Sequence, residues 1–156
     1  PTPSLLPDDP IVRAHARAFA QAITSEMHAI DVLRTRQFLS ERLDVPKAGV
    51  EQWTDHWFEL GMTALEGFLL QRREAYPYCF GENPGWADVF LVPQLRKSVG
   101  RYFQDISKYP LVGAVYERCL LHPAFIEAAA EQQPDFAVAY SKITIRGQND
   151  GITAGI

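Results

Sequence analysis

Cysteines, dense basic stretches and long apolar runs are all scarce in this 156-residue sequence, and each scarcity removes a class of function. The only two cysteines, Cys79 and Cys119, are far apart in the chain, so they form neither a CxxC metal pair nor a disulfide framework. That usage fits a reducing cytosol, and a cytoplasmic chain is the expectation. With 15 Lys and Arg against 19 Asp and Glu, the formal charge is −4 and the cations are scattered. No positive stripe is available to neutralise a phosphate backbone, so nucleic acid is not expected as a partner. Apolar runs such as 89–93 fall far short of the ~20 residues that span a bilayer, which excludes a helical membrane span. A Gly-rich phosphate loop, HExxH, GxSxG and any close carboxylate or thiol cluster are absent as well, leaving no strong signal for nucleotide, zinc or serine-hydrolase chemistry. The first residue is Pro1 rather than Met, and PTPSLLPDDP has none of the order of a signal peptide. It reads as a linker, and the expectation is a chain cut from something longer.

What is present is enough apolar material, 47% of residues, for one core. Asp9 before Pro10 is a helix start, because the carboxylate accepts orphan amides and proline suits the first position. From Ile11 to about Leu43 there is no glycine or proline, and Ala14, Ala18, Phe19, Ala22, Ile23, Ile30 and Leu33 keep a helical period, which predicts one helix of about thirty residues. Pro46 breaks it. A second helix is expected from about Ala48 to Glu74, burying Trp53, Trp57, Leu60, Ala64, Leu65, Phe68 and Leu69. Two prolines and two glycines in AYPYCFGENPGWAD predict a loop over 76–84. A third helix follows, with Asp88 reaching back to the Gly85 amide as half of a capping box and Pro93 kinking its middle. A fourth, from about Pro110 to Leu121, is expected to bury Leu111, Val115 and Leu120 or Leu121, and a short fifth runs from Pro123 to about Glu131. The expected fold is therefore an all-α bundle of about five helices, with a linker over 1–9, a helical domain over 10–135 and a wrapping or frayed tail over 136–156.

Chemistry has to be sought in weaker features. On an unbroken first helix, Glu26, Arg34 and Gln37 fall on the apolar face, and His28, Asp31 and Arg34, three apart, form a ladder along one edge. The competing reading makes Arg34 and Glu26 structural ion pairs and His28 an exposed residue away from the core. On the third helix, Arg96, Lys97 and Arg101 can clamp a carboxylate, or they are a solvated basic helix end that suits the dipole. Cys79 and Cys119 read as small core hydrophobes rather than nucleophiles.

Taken in order, SLLPDDPIVRAHAR, ITSEMHAIDVLRTRQFL, YCFGENPGWADVFLVPQL, DISKYPLVGAVYERCLLHPAFIEA and QQPD resemble the C-terminal helical domain of zeta-class glutathione transferases, the group of the maleylacetoacetate and maleylpyruvate isomerases. The resemblance covers about Ser4 to Asp135. It implies a helical domain that follows a thioredoxin-like domain, in a soluble homodimer of aromatic amino acid catabolism with glutathione as cofactor and a small unsaturated organic acid as substrate. It also implies that this chain alone is inactive, because the activating group belongs to the other domain. His28 and Asp31 match positions facing glutathione. Where many relatives carry an Asn pair, this chain has Asp31 and Val32. Arg101, before Tyr102, best matches the arginine that holds the substrate carboxylate; Arg96 is a rival because 94–105 is one residue longer than usual, and Arg34 is a further candidate. The family favours Ser or Thr at Gly85, so the glycine is expected to lower stability by ~1 kcal/mol or less. The alternative is a non-catalytic helical module that keeps the architecture for protein association.

Overall fold

The structure, a computed structural model, describes residues 4–102 and 104–136, without the side chains of residues 101 and 102. The described residues form helices and turns with no strand, in the expected all-α architecture. The first helix starts where Asp9 and Pro10 place it. Asp9 Oδ1 accepts from the Ile11 and Val12 amides at 2.8 and 2.9 Å, and the Val12 bond above all holds its carboxyl below the usual range.

The expected thirty-residue helix is not continuous. Helix α1 (Pro10–Gln21) passes into a π-helical segment, Ala22–His28, the chain leaves helical geometry at 29–32, and α2 (Leu33–Arg42) restarts after an extended Val32. No glycine or proline marks this break; contacts from other helices impose it. The Trp53 indole donates to the Ile30 carbonyl at 3.3 Å, and the Asp31 side chain is drawn inward. The buried face also differs from the expected one. Ala16, Phe19, Ala20, Ile23 and Met27 are buried, whereas Ala14, Ala18, Glu26, Leu33 and Arg34 are exposed and Gln37 is half-buried.

Helix α3 (Lys47–Leu70) is rotated from its expected phase. It buries Thr54, Phe58, Met62, Leu65, Glu66 and Leu69, leaving Leu60 and Ala64 exposed and Trp53, Trp57 and Phe68 half-buried. The reason is a close crossing: a Cβ on Gly61 would stand 2.4 Å from Met27 Cγ, so the missing side chain lets the π-helical segment seat against α3. The loop after α3 is organised by Arg72, which donates to the carbonyls of Leu69, Tyr78 and Cys79 at 2.9, 2.9 and 3.1 Å.

Helix α4 (Trp86–Tyr102) runs through Pro93, whose ring faces solvent. Its start shows the expected half box, with the Gly85 amide donating to Asp88 Oδ2 at 2.8 Å, and Asp88 Oδ1 also accepts from the Cys79 amide at 3.0 Å. The opening segment docks here: Trp86 N–H donates to the Leu5 carbonyl at 2.7 Å, and Arg13 holds the carbonyls of Pro7 and Asp8. A Cβ on Gly85 would meet the Leu5 oxygen at 2.9 Å. Glycine at this cap is a requirement of that approach, which corrects the expectation that a hydroxyl residue would be better here.

Helix α5 (Pro110–Leu120) packs on α3 and α4 and buries Val112, Val115, Tyr116 and Cys119, not the expected Leu111 and Leu121. Its start is capped from another helix. The Leu111 and Val112 amides both donate to the Glu66 carboxylate at 2.9 Å, where a buried anion meets the positive end of the helix dipole. At the centre, Phe19 meets Phe68 and Phe80 edge to face, with ring centroids 6.1 and 5.6 Å apart.

By contact density the chain divides into two compact units after Leu120. In the second, α6 (Pro123–Glu127) is capped by His122 Nδ1, which accepts from the Ala124 amide at 3.3 Å, and a 3₁₀ turn at Ala130–Gln132 follows. The tail expected beyond 136 lies outside the described residues. Among the described residues no helix is long and apolar enough to cross a membrane.

Candidate functional site

The break at 29–32 separates the two residues that an unbroken helix would have stacked. His28, at the end of the π-helical segment, is exposed, and its Nδ1 lies 3.4 Å from Gln94 Oε1 on α4. Asp31 is only 6% exposed. The ladder of His28, Asp31 and Arg34 does not form, because the chain between them is not helical.

A carboxylate removed from water needs partners, and Asp31 has them on three sides. Thr54 Oγ1 of α3 donates at 3.1 Å, Lys97 Nζ of α4 donates to Oδ2 at 3.1 Å, and Arg36 Nε of α2 stands 3.5 Å from Oδ1. Lys97 therefore does clamp a carboxylate, one belonging to the protein itself. Arg34, in the first turn of α2, is exposed rather than turned into the core. Arg96 is half-buried on α4. Arg101 lies on the last turn of α4, and its side chain falls outside the described residues.

Beneath the break, Met27, Asp31, Thr54, Trp57, Phe58, Gln94, Ser98 and Gln104 enclose a cavity of about 10 Å³. That is room for one water, not for an organic acid or a tripeptide. The Trp57 Nε1–H is buried at its edge without a hydrogen-bond partner. The cavity itself therefore holds no ligand of that size.

The cysteines are both buried, as expected. Burial, with the Asp88 carboxylate adding to it, pushes the Cys79 thiol well above its usual range and the Cys119 thiol up to about 12. Cys119 Sγ donates to Asp88 Oδ1 at 3.8 Å. Neither is a nucleophile at neutral pH. No group of three His, Cys, Asp or Glu side chains among the described residues is placed to hold a metal ion.

No protein-family model matches the chain. Solved structures do. A maleylpyruvate isomerase from Pseudomonas aeruginosa PAO1 superposes with a TM-score of 0.79 at 33% identity, over 86% of this chain and 69% of that one. A holo maleylpyruvate isomerase described as a bacterial zeta-class glutathione transferase gives 0.81 at 36% identity, over 86% and 63%. The chain belongs to the zeta-class glutathione transferase family. Another member, the maleylacetoacetate isomerase of Anaeromyxobacter dehalogenans 2CP-1 with glutathione bound in its active site, gives 0.78 at 31% identity, over 86% and 60%. The chain spans about 60% of the length of the curated isomerases it matches first.

Within this zeta-class framework, Thr54, Trp53, Lys97 and Gln94 support the break, and reading the sequence did not find them in that role. One signal existed: Gln94 and Lys97 are three apart, the same spacing as His28 and Asp31. Its meaning depends on which helix lies beside which.

Proposed function

We propose that this chain is the substrate-side helical domain of a glutathione-dependent cis–trans isomerase of the maleylacetoacetate or maleylpyruvate type, or of a related glutathione transferase. The observation that supports this most is the extended likeness to such isomerases along 86% of the chain, at identities of 31 to 36% in the structures described. The residues present suit an anionic peptide: His28 and Arg34 lie exposed beside the break, and the charge of Asp31 is already matched by Lys97 and Arg36. When bound, glutathione supplies a thiolate nucleophile that adds reversibly to the conjugated cis double bond and is released unchanged.

This chain's residues bind and orient. His28 faces glutathione at the end of the π-helical segment. Asp31, saturated and buried, acts by fixing the break rather than by touching the tripeptide. On α4, Arg101 is the residue assigned to the substrate carboxylate, with Arg96 its rival; Arg34 is the further cation on the first-helix edge. A guanidinium fork gives two charge-assisted bonds to one carboxylate. A thioredoxin-like domain provides the activating group, the assembly is a homodimer, and it works in the cytoplasm on a small unsaturated acid.

Assaying the full-length gene product with maleylpyruvate or maleylacetoacetate and glutathione tests this reading. Turnover is expected, with the substrate KM raised in Arg101→Ala by loss of a bond worth ~1.5 to 3 kcal/mol. An unchanged KM there beside a large effect of Arg96→Ala moves the role to Arg96. No activity on either acid or on general electrophiles refutes the enzyme reading and favours a non-catalytic association module.

A further inference from the structure

Two polar contacts between the stretch 28–31 and α4 share one register. His28 pairs with Gln94 and Asp31 with Lys97, at 3.4 and 3.1 Å. One turn of α4 therefore grips both ends of the short stretch where the first helix loses its geometry, with Trp53 and Thr54 of α3 holding the other side. The two rungs differ in kind. The first is a contact between an amide side chain and an exposed imidazole, while the second is an ion pair in which the carboxylate is nearly out of water and the ammonium side chain is 23% exposed.

From this we propose that Lys97 is a positioning residue for glutathione binding: it neutralises Asp31 and ties the break to α4, so that His28, held by the same turn of α4, keeps its place toward an anionic peptide. The inference rests on the function proposed above and adds to it a residue that itself stays out of the cleft. Without Lys97, Asp31 retains Thr54 and Arg36, but its Oδ2 loses the nearest cation. A buried carboxylate left short of a partner moves toward water. An outward shift of this carboxylate carries 29–32 with it, disturbs His28 three residues earlier and brings negative charge toward an anionic peptide. Replacing Asp31 with Asn removes the charge that Lys97 neutralises across this contact.

The test is a cycle in the full-length protein with Lys97→Met, Asp31→Asn and the pair together, reading KM for glutathione against kcat. Lys97→Met is expected to raise the glutathione KM by about tenfold or more, with kcat changed by less than about threefold, the size of losing a hydrogen bond to a charged group. Added to Asp31→Asn, the same substitution is expected to change KM by less than about twofold. Lys97→Arg, which keeps the cation, is expected to stay within about threefold of the wild type and serves as the folded reference if Lys97→Met loses helix content. An unchanged KM in folded Lys97→Met, or an equal effect in both backgrounds, overturns the role of Lys97 while leaving the function intact. Failure of the wild type to bind glutathione overturns both.

Discussion

Serine is the better isolated helix cap, yet replacing Gly85 with serine is expected to destabilise this protein. The gain is small. Glycine and serine differ by only a few tenths of a kcal/mol at an N-cap, and Asp88 already accepts from the Gly85 amide at 2.8 Å. Against it stands backbone geometry, because the new Cβ would lie 2.9 Å from the Leu5 carbonyl oxygen, which accepts from Trp86 N–H at 2.7 Å. A carbonyl cannot rotate away as a flexible side-chain end does, so the opening segment has to lift. That loses a hydrogen bond worth about 0.5–1.5 kcal/mol. The net loss is about 1 kcal/mol, or a fall of about 3–5 °C in Tm for a unit of this size. Gly85→Ala carries the same clash without the hydroxyl and is expected to fall further. Thermal and urea unfolding of the full-length protein measure both. A Gly85→Ser midpoint equal to or above the wild type would show that the opening segment is not docked on α4, and the reasoning would fail.

Three further outcomes are expected. Glu66→Ala strips two amides at the start of α5 of their shared carboxylate and is expected to lower unfolding free energy by ~3 kcal/mol, with Glu66→Gln losing about half of that; urea titration yielding under ~1 kcal/mol for the alanine variant would contradict the cap. The Cys119 thiol, raised by burial and by Asp88 to about 12, contributes stability that is complete below pH 9 and lost as pH rises toward 12, since unfolding frees it to ionise at its ordinary value. Unfolding midpoints of the wild type are therefore expected to fall more steeply over this range than those of Cys119→Ala, and parallel curves would refute the assignment. A high-resolution crystal structure is expected to show an ordered water within hydrogen-bonding distance of Trp57 Nε1 in the cavity beside Asp31, and an empty cavity would count against it.

How much of this was readable beforehand follows from the range of each interaction. The Asp9 and Asp88 caps involve partners two or three residues away, and both form as the local sequence dictates. The irregular stretch before α4 is likewise local, set by its prolines and glycines. The interruption of the first helix is not. Residues 22–32 carry no helix breaker, and the break comes from Trp53, Thr54 and Lys97, which are distant in sequence. Once it occurs, the phase downstream shifts, which is why Arg34 is exposed where an unbroken helix would have turned it inward. The burial of Glu66 escaped notice for the same reason, since its partners lie more than forty residues away. Gly85 was misread because a capping rule knows nothing of Leu5. For the candidate site residues, the sequence named them but not their arrangement: His28 and Arg34 are exposed, and Asp31 is buried against Lys97.

The most direct measurement is isomerisation by the full-length protein with the cis acid in large excess over glutathione. The account predicts complete conversion to the trans acid, with free glutathione recovered undiminished at the end. Conversion that stops at one product per glutathione, or proceeds equally well without it, would contradict the isomerase assignment.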